Sequence, residues 1–186
     1  MTVKWLTLPH RDGVDGPWSS FTLRVGTPAQ DVRVFISTAG QETWVVASEG
    51  CVNSPSTCAD ARGGLFNPNT SSTWQYTGQY TLYIEDNLDL RGGAKFGNDT
   101  VGLGGQGSGT PTLDQQIVGG LATENFYLGM FGVNPKSTNF TSQNEGQPSY
   151  MSSLYTQGKI PSLSFGYTAG AQYRKWPLTY RMDLRC

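Results

Sequence analysis

The chain has 186 residues, with 13 Lys and Arg against 14 Asp and Glu for a net charge of -1. That length supports one domain with a sizeable core, and the near-zero charge gives no electrostatic reason to expect nucleic acid or an anionic membrane surface as a partner. Charged residues are 15% of the chain against about a quarter in an average domain, and its 24 glycines exceed the usual share of roughly 7%, a balance that favours strands and turns.

No apolar run approaches the roughly 18 residues of a membrane span. Met1-Thr2-Val3-Lys4-Trp5 lacks the charged start and apolar core of a secretory signal, and residues 1–17 read as an N-terminal segment. Trp18 to Val25 then alternates apolar and polar residues, and Gly26-Thr27-Pro28-Ala29-Gln30 turns it back into Val32 to Ile36, which predicts a β-hairpin. Beyond the small-residue turn Ser37-Thr38-Ala39-Gly40 a second β-branched run, Thr43 to Val46, begins. Two strands would deliver that turn to one sheet edge, a natural seat for chemistry.

Cys51 and Cys58 lie in a polar Ser, Pro and Asn loop and are expected to form a short disulfide, with two free thiols as the alternative. A metal site is disfavoured because His10 is the only histidine, and Cys186 is left without a partner. Asn69, Asn98 and Asn139 head three glycosylation sequons, which agree with secretion. Gln79 to Ile84 and Ala94 to Gly104 read as strands around a polar excursion, and Gln115 to Val118 and Phe126 to Gly132 as buried strands. Gly102-Leu103-Gly104-Gly105-Gln106-Gly107 satisfies a dinucleotide fingerprint, but Ser108-Gly109-Thr110-Pro111 follows where a helix would have to begin, so a loop is expected. Ser149 to Gly158 places positions 150, 151, 154 and 155 on one helical stripe closed by a glycine, and Ile160 to Tyr167 alternates as a strand.

Several of these stretches resemble the pepsin-like aspartic proteases. The Val-Gly-Thr-Pro-x-Gln turn at 25–30, the Cys51 to Cys58 loop, Phe66-Asn67-Pro68-Asn69-Thr70-Ser71-Ser72-Thr73 and the Gly97-Asn98-Asp99-Thr100-Val101 run are each similar to that family's N-terminal lobe, as are the apolar stretch ending at Gly132 and the helix and strand up to Tyr167. The resemblance implies a mainly β fold: a single pepsin-like lobe of hairpins and a psi-loop with one or two short helices, spanning residues 18–167. It implies Tyr83 as the counterpart of the flap tyrosine, with a core or cross-strand role as the equal alternative. Ser37-Thr38-Ala39-Gly40 stands where the family has Asp-Thr-Gly-Ser, so Ser37 takes the catalytic Asp position and Ala39 the glycine position, while Thr38 keeps the hydroxyl that braces the two loops of the dyad in the family.

The expected product is an inactive, secreted pseudoprotease lobe that binds a peptide or protein partner, without cofactor or metal. The alternative is the front half of a larger pepsin-like endopeptidase, with or without a membrane anchor, since no second lobe follows Tyr167 here. A homodimeric enzyme of the viral single-lobe type would need a carboxylate at position 37, and serine catalysis lacks a base near Ser37. Residues 168–186, with four basic side chains in the last 13, read as a divergent, loosely ordered tail.

Overall fold

The computed structural model describes residues 11–13, 16–18, 20–52, 55–85, 90–123, 126–139, 146–168 and 181–183. In chain order the strands are β1 (Arg11–Gly13), β2 (Gly16–Trp18), β3 (Phe21–Val25), β4 (Gln30–Ser37), β5 (Thr43–Val46), β6 (Gln75–Glu85), β7 (Leu90–Leu103), β8 (Thr112–Leu121), β9 (Gly129–Gly132), β10 (Thr138–Asn139), β11 (Gly146–Gln147), β12 (Gly166–Thr168) and β13 (Arg181–Asp183). Two short helices join them, α1 (Pro55–Ala61) and α2 (Tyr150–Thr156).

Alternation drives the first hairpin. Phe21, Leu23 and Val25 are buried while Thr22 and Arg24 face outward, and β3 pairs antiparallel with β4 from Phe21↔Val34 to Val25↔Gln30. The main sheet runs β3-β4-β9-β5-β8-β7-β6, and β3 also pairs with β7 through Leu23↔Leu103, so six strands close on themselves and β6 hangs on β7 as the outer arm of a hairpin. Closure removes edges, and the larger of two apolar clusters holds Phe21, Leu23, Val25, Val32, Val34, Val45, Phe66 and Phe131, capped by Tyr150, Met151 and Leu154 of α2, while Trp44, Ala94, Phe96, Ile117 and Leu121 form the smaller. Burying each large side chain contributes about 1.5 to 3 kcal/mol before entropy is charged against it.

Three of the motif stretches converge at one buried carboxylate. Asp99, fully buried in β7, accepts hydrogen bonds through Oδ1 from the Ser71 hydroxyl at 3.1 Å, from the Thr73 hydroxyl, and from the Thr100 N–H at 2.8 Å. Ser71 Oγ in turn accepts from Thr27 N–H at 3.0 Å, and Gly26 N–H donates to the Thr100 carbonyl at 2.8 Å. A Cβ on Gly26, whose φ is +85°, would stand 2.9 Å from Ser71 Oγ, so the hairpin turn fits this knot only as glycine.

The elements differ from the sequence expectation in several places, among them β8, which outruns 115–118 at both ends, and β9, which begins at Gly129 rather than Phe126. Trp18 does not continue into β3 but pairs with Arg11 in a separate hairpin, while Ser20 is buried and accepts from Arg33 Nε at 2.9 Å. The β6–β7 hairpin is longer than expected at both ends. On α2, Tyr150, Met151 and Leu154 are buried but Tyr155 is 49% exposed, because a further 100° of helical rotation carries it past the core edge. Residues 160–165 form bends rather than a strand: Pro161 withholds an N–H, and Ser164 N–H donates to the Ser162 carbonyl, a local pairing that competes with a ladder. Only Gly166–Thr168 is extended, and its partner comes from the tail, where β13 pairs with it antiparallel. The glycine-rich run after β7 is a loop, as expected, wrapped around Arg24, whose guanidinium donates to the carbonyls of Leu103, Gly104 and Gly105 at 2.7, 2.9 and 2.9 Å.

Candidate active-site loop

β4 ends at Ser37, the chain turns through Thr38 to Glu42, and β5 leaves beside it; β9 lies between the two, parallel to β4 and antiparallel to β5. This is the psi-shaped crossing. Residues 132–134 knit the turn from below: Gly132 N–H donates to the Glu42 carbonyl, Val133 N–H to the Ser37 carbonyl and Asn134 N–H to the Gly40 carbonyl, each at 3.0 Å, and Asn134 Nδ2 reaches the Ala39 carbonyl at 3.1 Å. The approach is so close that a Cβ on Gly132 would lie 2.5 Å from the Glu42 carbonyl oxygen and 2.7 Å from that of Gly40. Trp44, buried behind the loop, packs edge-on against Phe126 with centroids 5.1 Å apart.

Ser37 is half-buried and its Oγ accepts a hydrogen bond from Gly40 N–H at 2.9 Å. Thr38 and Ala39 are exposed at the rim. Glu42 is the only acid between residues 32 and 46, and its carboxylate accepts from the buried Thr138 hydroxyl at 2.9 Å. A crossing of this kind, with a strand threaded between the two arms of a small-residue turn, is the fold signature that the motif comparison pointed to.

Residues 20–172 match the family of eukaryotic aspartyl proteases. The chain belongs to that family. Comparison with curated proteins finds no match. As an aspartyl protease lobe the molecule also carries the expected small disulfide: Cys51 and Cys58 are bonded, with Cα atoms 5.7 Å apart. Arg62 fastens that loop to the segment entering β9 by donating to the carbonyls of Gly50 at 3.0 Å, Thr123 at 2.8 Å and Tyr127 at 3.3 Å.

The other sites expected from sequence are placed as follows. Tyr83 lies in β6 opposite Arg91, and its side chain is outside the described residues. Asn69 is exposed on a single turn of 3-10 helix at 68–70, Asn98 is half-buried between β6 and β8, and the Asn139 side chain, His10 and Cys186 are outside the described residues. No cluster of three or more His, Cys, Asp or Glu suited to a metal ion occurs among the described residues, and no described helix is long and apolar enough to cross a membrane. Asn134 and the Glu42–Thr138 pair escaped sequence reasoning. The signal for Asn134 was its place two residues after the glycine that ends the apolar run; nothing in the sequence joins position 42 to position 138.

Proposed function

We propose that this chain is a non-catalytic aspartyl protease lobe that binds an extended peptide or a protein partner through its cleft-forming face. The chemistry at position 37 carries the reading. Aspartic proteolysis needs two carboxylates sharing a proton around a water, their pKa values split by mutual repulsion. At the family's catalytic Asp position Ser37 offers a hydroxyl, already an acceptor for Gly40 N–H and no useful base near neutral pH. The one acid in the same stretch, Glu42, is held on Thr138. Ala39 adds a methyl where the family's glycine permits two such loops to meet. What this loop can still do is present Thr38 and Ala39 as a rigid rim. The disulfide fits an extracellular location, and Asn69, Asn98 and Asn139 are the proposed glycosylation positions.

The test is incubation of the purified chain with a mixed peptide library from about pH 3 to pH 8, the range in which carboxylate dyads and neutral hydrolases work. We expect no cleavage, and peptide retention that Thr38→Arg abolishes. Ser37→Asp alone should stay inactive, because it supplies one carboxylate and no partner. Cleavage by the unmodified chain that an aspartic protease inhibitor stops would overturn the proposal.

A further inference from the structure

Over Gly78 to Tyr83, β6 presents a sheet edge without charge or proline. β6 pairs with β7 on one side only, and no described strand lies on its other side. Exposed edges are normally blunted by charge, proline or shortness, because their unpaired N–H and C=O groups are a template for another strand. β6 is 11 residues long; its one charged residue, Glu85, stands at its end, and from Gln75 to Ile84 it contains neither a charged residue nor a proline. Irregularities in the β6–β7 ladder fall between Tyr76 and Gly78 and between Tyr83 and Glu85, which leaves Gly78 to Tyr83 as a regular run. Gln79 and Thr81 on that run are exposed, while Tyr80 turns inward onto Phe96, its ring centroid 5.9 Å away.

We infer that the free edge of β6 is a self-association surface, pairing antiparallel with β6 of a second copy of this chain around a two-fold axis near Tyr80. The occupant follows from charge. A two-fold axis at Tyr80 sets Glu85, the one charge on β6, against Gln75 of the other copy, so no like charges meet along the edge. Here the axis sets Gln79 against Thr81, and the amide and hydroxyl can each donate and accept. The nearest cation, Lys95 opposite Gln79, is already paired with Glu49 at 2.9 Å. A six-residue ladder buries less surface than a permanent interface, so the dimer is weak and concentration-dependent. This inference does not depend on the function proposed for the loop at Ser37.

The experiment is sedimentation velocity of the full chain over a wide concentration range, with two charge variants. Gln79→Glu with Thr81→Glu, and separately Gln79→Lys with Thr81→Lys, should each weaken association on the order of tenfold through like charges directly opposite, and their mixture should restore it. Amide exchange at 78–83 should slow as the unmodified protein is concentrated. A chain that stays monomeric at all concentrations, a dimer that both variants leave intact, or an edge protected only by an added unrelated extended peptide would each overturn the inference. Melting curves of the two variants identify any loss of fold, and mixing folded variants separates repulsion from damage.

Discussion

Two regions of this lobe are held by dense hydrogen bonding, and they are held for different ends. At Asp99 a buried carboxylate accepts from the hydroxyls of Ser71 and Thr73 and from the N–H of the adjacent Thr100, and Ser71 ties the hairpin turn to it through Thr27 N–H. At the psi-loop the backbone of 132–134 gathers the carbonyls of Ser37, Gly40 and Glu42, and the Asn134 side-chain amide adds that of Ala39. The first is a structural centre built on a charge; the second is a rigid platform whose chemistry depends on one exchangeable side chain. The side chain at position 37 supplies one bond of the platform, from Gly40 N–H, whereas that of Asp99 accepts three.

The sharpest way to break the first region is Asp99→Ala. It leaves the Ser71 and Thr73 hydroxyls and the Thr100 N–H facing a small void, and burial of unpaired donors should cost about 3 kcal/mol. Thermal or chemical unfolding measures it. A loss below a third of that would mean that the three donors find new acceptors and that the knot is not a centre of the fold.

The second region breaks through geometry. Gly132→Ala should cost about 2 kcal/mol, since the new methyl meets fixed carbonyl oxygens. The same substitution at Gly93, where a Cβ meets only the flexible Gln79 amide at 3.3 Å, should be neutral or slightly stabilising. Equal effects at the two sites would remove the case for a tight crossing.

The difference between the regions also explains what could be read from sequence. Alternation at Phe21, Leu23 and Val25 and the glycine-marked turns predicted the hairpins, because burial pattern and turn chemistry are local. The motif strings around Thr27, Ser71 and Asp99 were each recognisable, yet their meeting depends on pairing between residues more than 25 positions apart, as in the Asp99–Thr73 contact across |i−j| = 26. Residues 160–165 misled because apolar alternation at Leu163, Phe165 and Tyr167 mimics a strand while Pro161 and the Ser162–Ser164 pairing remove it. At the candidate site the side chains of 37–40 were legible one by one, but Asn134 as a brace was not, since its partner is a backbone carbonyl without sequence identity.

Asn134→Ala tests that brace more gently. It removes the Nδ2 bond to the Ala39 carbonyl and the exposed bond from Lys136 N–H to Oδ1, and keeps the backbone bond to Gly40, so the expected cost is about 1 kcal/mol. Hydrogen exchange at residues 38–41 should quicken while Asp99 and its donors stay protected. Equal loosening of both regions would show that they form one cooperative unit.

The smallest effect belongs to neither region and serves as the reference for surface electrostatics. Glu49 and Lys95 form an exposed ion pair at 2.9 Å; the Lys95 hydrogen bond holds the Glu49 carboxyl below its ordinary range, and Glu49 holds the Lys95 ammonium above its own. A depressed carboxyl stabilises the fold above its unfolded pKa, and that contribution fades as pH falls through the folded value. A raised ammonium does the reverse: its contribution is complete below the unfolded pKa and fades as pH rises through the folded one. The pair therefore helps across the neutral range and loses its effect at both ends, by little, because solvent and salt screen exposed charges. Lys95→Met should lower the melting temperature slightly near neutrality, less in high salt, and not at all in acid where Glu49 is protonated. A larger loss than that of Asn134→Ala would place a surface pair above an internal brace and reverse the order of these regions.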